Sequence, residues 1–181
     1  MKQSKPQAKL AADGLFDYAV RVLANRARSS DELRFQLRRR AASLSDIEPV
    51  VARLKDLGYL NDGRFAEMYT AMRVDNDGFG RDRVLRDLRK RQVAARLAEQ
   101  AVSRAFEGRD EQEMVAVYVE RRMPSIVAGG HTGDAGKLAA AYRKLRRAGF
   151  SPGAILTVLK RFAARPELWD EPPPEDEWPE G

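Results

Sequence analysis

The run GRDRVLRDLRKR, residues 80–91, decides the fold because it carries an apolar face and a basic face at helical spacing. Residues three or four positions apart lie on the same side of an α-helix. The apolar side holds Val84, Leu85 and Leu88. The basic side and its flanks hold Arg81, Arg83, Arg86, Arg89 and Lys90. We therefore predict an amphipathic helix that buries one face and presents the other to solvent or to a ligand.

The same pattern occurs twice more, at a spacing of roughly fifty residues. Leu37 and Leu145 are each followed at once by basic residues, and each time a second amphipathic helix comes next. The matching basic residues are Arg34, Arg38 and Arg39 in the first copy and Arg143, Lys144 and Arg147 in the third. No stretch alternates as a strand does. We predict an all-α fold of nine helices in three tandem three-helix repeats, residues 15–58, 59–108 and 109–165, stacked into an elongated rod.

Several helix ends can be placed from local signals. Ser29 with Glu32, and Ser45 with Glu48, have the spacing of capping boxes. Gly58 predicts a left-handed residue that ends a helix.

In the later repeats, either Asn61 or Asp62 caps the next helix. That helix carries an apolar line of Phe65, Met68, Tyr69 and Met72. Gly149 predicts a second left-handed stop, and Ser151 a cap followed by a proline at the first helical position. Ala94 stands where a capping serine is expected.

Composition excludes several classes of protein. The chain has 181 residues, 43% hydrophobic and 33% charged, with no cysteine and one histidine. Disulfides and thiolate metal sites are therefore impossible, and a single histidine supplies too few ligands for a histidine-based metal site. No apolar run approaches the roughly 20 residues that span a bilayer, and no signal peptide is recognisable. We expect a cytoplasmic monomer that has no contact with membranes.

The charge is unevenly distributed. The net charge is +6, yet residues 166–181 hold seven acidic residues and no Lys or Arg, so the remainder carries +13. Such a surface predicts an anionic partner, although a simply solvated surface is the plainer alternative. We expect residues 1–14 to form a disordered basic arm and residues 166–181 a disordered, acidic, proline-rich tail. The tail either competes with phosphates for the arginines or only improves solubility.

The sequence offers little for catalysis. Neither residues 78–80 (GFG) nor the glycine-rich loop at 128–133 (AGGHTG) has the spacing of a nucleotide-binding loop. His131 in that loop has no partner at metal-binding spacing. We predict a protein that is not an enzyme and that needs no cofactor or metal.

Other modes of nucleic-acid binding remain as alternatives. Residues 46–57 and 152–162 are mostly apolar, which argues against sequence-specific recognition helices. No aromatic platform for single-stranded bases is evident. Phe35 departs from the core stripe, and it either packs between helices or makes a contact with a partner.

Four segments together resemble the RecX family, regulators of the bacterial RecA recombinase. They are 29–37 (SSDELRFQL), 58–73 (GYLNDGRFAEMYTAMR), 78–91 (GFGRDRVLRDLRKR) and 137–150 (KLAAAYRKLRRAGF). The resemblance implies a curved, all-helical rod that binds in the groove of the recombinase–DNA filament. It also implies inhibition of filament growth, ATP hydrolysis, strand exchange and repressor cleavage, with effects on DNA repair and the SOS response. Weakly specific binding to single- and double-stranded DNA is implied as well.

The most specific of these segments, at 58–73, supplies residues for the joint between repeats. Gly58 allows the helix to stop, and Tyr59 and Leu60 plug the joint. Asp62 lies at a helix N-terminus, and Phe65 and Tyr69 re-enter the core. We therefore predict a modulator of the recombinase filament; the alternatives are a nonspecific DNA-binding helical protein and a protein–protein adaptor.

Overall fold

A computed structural model of the chain describes residues 9–128 and 134–166. Its ten α-helices are α1 (Ala12–Asn25), α2 (Ser30–Arg38), α3 (Ile47–Asp56), α4 (Asp62–Asp75), α5 (Arg81–Lys90), α6 (Ala95–Phe106), α7 (Glu111–Arg122), α8 (Pro124–Ala128), α9 (Ala135–Ala148) and α10 (Pro152–Leu159). Two 3-10 helices cover Leu44–Asp46 and Lys160–Phe162. The predicted all-α fold is confirmed. The acidic tail from 167 onward, residues 129–133 of the glycine-rich loop, and residues 1–8 of the arm lie outside the described residues.

The chain divides into two compact units. Unit 1 comprises Met1–Thr70 and Asp87–Ala101, and unit 2 comprises Ala71–Arg86 and Val102–Gly181. The division therefore passes through helices α4, α5 and α6, each of which contributes residues to both units. The repeat boundaries at 15–58, 59–108 and 109–165 stay predictions.

In unit 1, helices α1 and α2 pack on α3 around a core of leucine and valine side chains. The fully buried residues of this core include Leu15, Leu33, Leu37, Val51 and Leu54. The predicted capping box at the start of α2 is confirmed, because Glu32 N–H donates to Ser29 Oγ and Ser29 N–H donates to the Glu32 carboxylate, both at 3.2 Å. Local sequence therefore decides where α2 begins.

Unit 1 begins earlier than the sequence predicts. Helix α1 starts at Ala12, inside the range assigned to a disordered arm. Leu10 N–H donates to the carbonyl of Arg40, and Ala42 N–H donates to the carbonyl of Leu10, both at 2.8 Å. The expectation of disorder is wrong for residues 9–14, because the apolar side chain of Leu10 packs against the core.

The start of α3 also differs from the prediction. The N-cap of α3 is Asp46, which makes no side-chain cap, and Ser43 Oγ instead accepts from Ser45 N–H at 3.4 Å in the preceding 3-10 helix. The predicted capping box at Ser45 is wrong, because the Glu48 carboxylate pairs with Arg34. At the other end the prediction is confirmed, since Gly58 follows α3 with φ +75°.

Helix α4 does not bury the predicted apolar line. Met68 and Met72 are exposed, whereas Phe65, Ala66, Thr70 and Val74 are buried. The choice between two caps is settled, because Asn61 Oδ1 accepts from Arg64 N–H at 2.9 Å. Helix α4 contributes residues to both compact units, so its buried positions do not form the single apolar stripe that the periodicity predicted.

In unit 2, helices α7, α9 and α10 pack around a second core. The rings of Tyr118 and Phe150 meet edge to face with centroids 5.6 Å apart. Gly149 ends α9 with φ +94°, and Ser151 Oγ accepts from Ala154 N–H at the start of α10, as predicted. The described ranges hold ten helices rather than nine, because Pro124 ends α7 and begins the five-residue helix α8.

Candidate nucleic-acid interface

Two arginine side chains meet the main chain of a third arginine at the C-terminal end of α9 in unit 2. Arg83 Nη1 and Arg86 Nη2 donate to the main-chain carbonyl of Arg147, at 3.4 and 3.2 Å. The carbonyls at a helix C-terminus carry partial negative charge and lack partners within the helix, so guanidinium donors are stabilised there. We call Arg83, Arg86 and Arg147 the arginine cluster.

A close contact between two backbones places the arginine cluster. Gly80 N–H donates to the carbonyl of Ala148 at 2.8 Å, and Asp82 N–H donates to the carbonyl of Gly149 at 3.1 Å. A Cβ on Gly80 would lie 2.8 Å from Phe150 N and closer still to the Gly149 carbonyl, so a side chain has no room. The two glycines therefore let the start of α5 reach the end of α9.

Arg86 and Arg147 of the arginine cluster retain positive charge and donor groups. In the described part of the chain neither Arg86 nor Arg147 pairs with a carboxylate. The neighbouring residues Arg146 and Asp82 form an ion pair at 3.9 Å. Each guanidinium has five N–H donors, and a single carbonyl oxygen occupies few of them. Such a group can bind phosphate oxygens.

The other predicted binding residues of unit 2 lie outside the arginine cluster and have other hydrogen-bond partners or are half-buried. Arg81 donates to Ser103 Oγ at 2.9 Å, and Lys144 Nζ donates to the carbonyl of Arg122 at 2.9 Å, although both side chains are exposed. Arg143 is half-buried. The sequence predicted basic faces on separate helices that together line one side of the molecule, and the structure brings only part of the set together.

In unit 1, the positive charge of Arg34 is already compensated. Its guanidinium donates to both carboxylate oxygens of Glu48, at 2.9 and 3.0 Å, and to Asp31 at 2.8 Å. The hydrogen bond to Glu48 raises the pKa of Arg34, and the same bond lowers the pKa of the Glu48 carboxyl below its ordinary value. Two acids around one guanidinium leave little attraction for a phosphate.

The remaining predicted cations of unit 1 are exposed. Arg38 and Arg39 end helix α2, and Arg89 and Lys90 end helix α5. The main-chain carbonyl of Arg39 accepts a hydrogen bond from Lys9 Nζ at 3.3 Å. The side chain of Arg39 is exposed to solvent. The alignment of these residues with those of unit 2 along one track stays a prediction.

A cleft in unit 1 surrounds Phe35, whose side chain is 58% exposed. The alternative that Phe35 packs between helices is therefore wrong. The cleft has a volume of about 390 Å³. It is lined by Asp31, Arg34, Phe35, Arg38, Gln92, Val93 and Ala94. We call it the Phe35 cleft.

The predicted joint residues do not behave alike. Leu60 is buried, and Asp62 Oδ1 accepts from Ser30 N–H at 2.7 Å. Phe65 and Tyr69 stack with ring centroids 5.9 Å apart. Tyr59, however, is 57% exposed, so the prediction that it plugs the joint is wrong. The left-handed turn at Gly58 directs the chain so that the next residue after Tyr59 enters the core.

Sequence reasoning missed the residue that holds this joint together. Arg91 donates to Glu32 Oε2 at 3.0 Å and to the carbonyl of Ala27 at 3.0 Å, and it lies over the rings of Phe65 and Tyr69. Its side chain is only 13% exposed. It ends the same basic run as Arg89 and Lys90, and no local signal separates it from them.

In the described ranges, no group of three or more His, Asp or Glu side chains is placed to hold a metal ion. His131 lies outside those ranges. No described helix combines the length and apolar content that crossing a bilayer requires.

The chain is similar to known proteins over most of its length. Residues 61–102 match the family model described as the second three-helix domain of RecX. The regulatory protein RecX of Deinococcus radiodurans is 32% identical over 151 residues, which are 83% of this chain and 69% of that protein. The regulatory protein RecX of Amycolatopsis mediterranei is 29% identical over 174 residues, covering 92% of this chain and 97% of that protein.

A solved structure has the same fold. The crystal structure of RecX from Lactobacillus salivarius superposes with a TM-score of 0.69 at 19% identity, covering 83% of this chain and 96% of that one. At this level of identity the likeness concerns the fold alone.

Proposed function

The chain belongs to the RecX family of regulatory proteins, and from this premise we propose that it binds the filament of RecA recombinase on DNA. Binding inhibits the recombinase, ATPase and coprotease activities of the filament. The chain acts by occupying the filament and catalyses no reaction itself.

The observation that carries the proposal is the arginine cluster. Arg86 and Arg147 keep their charge free of carboxylates within the described residues, and the Gly80–Gly149 contact fixes the backbone beneath them. A nucleoprotein filament is a repetitive acidic polymer, and its phosphates attract fixed guanidinium groups without any base-specific contact. The net charge of +6 favours the same kind of partner.

Charge reversal at the arginine cluster tests the proposal. The double variant R86E/R147E changes two exposed side chains and leaves Arg83, which contacts the ring of Phe79, in place. We expect this variant to lose most of the inhibition of DNA-dependent ATP hydrolysis by the recombinase, because repulsion of phosphates replaces attraction. The measurement is the ATPase rate of preformed filaments titrated with the full chain.

A matched control separates position from total charge. The double variant R121E/R161E makes the same change in net charge at two other exposed positions of unit 2. We expect it to inhibit almost as well as the original chain, apart from weaker long-range attraction at low salt. Equal inhibition by R86E/R147E and the original chain would remove the arginine cluster from the binding surface.

A nonspecific DNA-binding protein is the second candidate, and the exposed cations at the ends of α2 and α5 favour it. Binding is compared on bare single strands, bare duplex and recombinase-coated strands at physiological salt. Preference for coated strands supports filament regulation, and equal affinity for all three supports the second candidate.

A further inference from the structure

We propose that the Phe35 cleft of unit 1 binds an unpaired base of single-stranded DNA, with the base stacked on the ring of Phe35. The inference deepens the proposed function, on which it rests for the choice of DNA as the ligand. It adds a base-contacting site to the phosphate-binding arginine cluster of the proposed function.

The Phe35 ring is held in solvent by a well-anchored helix. Its neighbours Leu33 and Leu37 are fully buried in the core of unit 1, which fixes the opposite face of α2. Arg34 is clamped by Glu48 and Asp31. The ring therefore cannot turn into the core without moving the whole helix.

Two other aromatic rings of unit 1, those of Phe16 and Tyr18, are covered by arginine side chains. The guanidinium of Arg53 lies 4.2 Å from the ring centroid of Phe16, and that of Arg40 lies 5.1 Å from the ring centroid of Tyr18. Exposing a phenylalanine ring to water is unfavourable relative to burying it. A ring that remains exposed inside a cleft suits a ligand that covers it.

The chemistry of the cleft matches a nucleotide. Arg38 lies three residues after Phe35 on the same face of α2, and within the described ranges it forms no ion pair, so its guanidinium is available for the flanking phosphate. Gln92 also lines the cleft and is exposed, and its side-chain amide has both a donor and an acceptor for a base edge. The volume of about 390 Å³ is within the range of small-ligand sites.

The ligand is an unpaired base rather than duplex DNA or an apolar protein side chain. In a duplex the faces of the bases are already covered by their neighbours, whereas every unpaired base offers a face to an aromatic ring. An apolar side chain of a protein would leave the guanidinium of Arg38, which forms no ion pair within the described ranges, without a counter-charge. Charge complementarity therefore favours the nucleic acid.

The experiment compares two labelled oligonucleotides of equal length and charge, one of thymidines and one of abasic residues. The full chain is titrated against each at low salt, and fluorescence anisotropy gives the dissociation constants. We expect the original chain to bind the thymidine strand about tenfold more tightly, because one stacked base contributes on that scale. F35A should abolish this preference while leaving affinity for the abasic strand unchanged.

Two further variants complete the test. Y59A removes an equally exposed aromatic ring of unit 1 that does not line the cleft, and it should retain the tenfold preference. F35W, made together with W169F and W178F so that it is the single tryptophan, should keep the preference. Its fluorescence should be quenched by the thymidine strand and not by the abasic strand, which also decides the matter should F35A fail to fold.

The proposal is overturned if the original chain does not distinguish the two strands, if F35A keeps the preference, or if Trp fluorescence at this position is insensitive to thymidines. If F35A keeps the preference but no longer inhibits the recombinase, the ring contacts a protein partner instead, and the proposal is equally overturned. Because the base preference is read without recombinase, it can hold even when R86E/R147E contradicts the proposed function.

Discussion

The two ends of helix α5 are held by different chemistry. In unit 2, the start of α5 meets the end of α9 through main-chain hydrogen bonds between Gly80 and Ala148 and between Asp82 and Gly149. In unit 1, the residue that follows α5, Arg91, meets the start of α2 through side chains, chiefly the Glu32 carboxylate. We call these the backbone joint and the side-chain joint.

The difference shows how each joint can fail. The backbone joint depends on the absence of a Cβ atom at Gly80 and at Gly149. Any side chain at either position would clash with the facing backbone, whatever its charge. The side-chain joint depends on a half-hidden ion pair, whose members are 13% and 17% exposed. Removing one partner of such a pair leaves the other charge largely buried and uncompensated, which destabilises the fold.

The largest effect is expected from G149A, which attacks the backbone joint. Gly149 has φ +94°, and a Cβ there would lie 2.9 Å from the Cα of Arg83 and closer to its N and Cβ. Strain and overpacking together should lower the free energy of unfolding by about 3 kcal/mol. Urea denaturation followed by circular dichroism measures the change.

G58A is the matched control for this prediction. Gly58 also has a positive φ, at +75°, but a Cβ there would meet nothing within 4 Å. Its cost should be the backbone strain alone, about 1 kcal/mol. Equal destabilisation by G58A and G149A would show that close approach contributes nothing to the backbone joint.

A smaller effect is expected from R91A, which attacks the side-chain joint. The substitution leaves the Glu32 carboxylate without its guanidinium partner and uncovers the rings of Phe65 and Tyr69. We expect a loss of about 2 kcal/mol in the free energy of unfolding. R89A, in the exposed last turn of α5, should change it by about 0.5 kcal/mol or less. If both variants unfold at the same urea concentration, the ion pair does not stabilise the joint.

The smallest effect, and one of opposite sign, is expected from Q92G beside the side-chain joint. Gln92 has φ +55°, a left-handed conformation that Gly58 and Gly149 adopt at the ends of α3 and α9. Because glycine has no Cβ to strain, Q92G should raise the free energy of unfolding by about 0.5–1 kcal/mol. Thermal unfolding should show a higher midpoint, whereas a lower one would mean that contacts of the Gln92 side chain outweigh the strain.

Sequence alone predicted the elements well where the deciding interactions are local. The capping box of Ser29 and Glu32, the left-handed glycines and the Ser151 cap all involve partners within a few residues, and all are confirmed. The prediction failed at Ser45 because Glu48 pairs with the distant Arg34, and at Met68 and Met72 because α4 contributes residues to both compact units.

The candidate site was less predictable. The spacing of the arginines placed them on helix faces, but it could not tell which guanidinium is compensated by acids, as Arg34 is, and which keeps its charge, as Arg86 does. Arg91 finds Glu32 across 59 residues of sequence. A basic run looks uniform in sequence because the partners that distinguish its members lie elsewhere in the chain.

By itself, the sequence determined the helical class, most helix ends and the excess of positive charge, because these depend on residue type and on neighbours within one helical turn. The tertiary structure alone decided that Phe35 stays in solvent, that Gly80 and Gly149 bring two backbones together, and which arginines remain available. Each of these features depends on atoms that folding brings close together, and such contacts cannot be predicted from the spacing of residues along the chain.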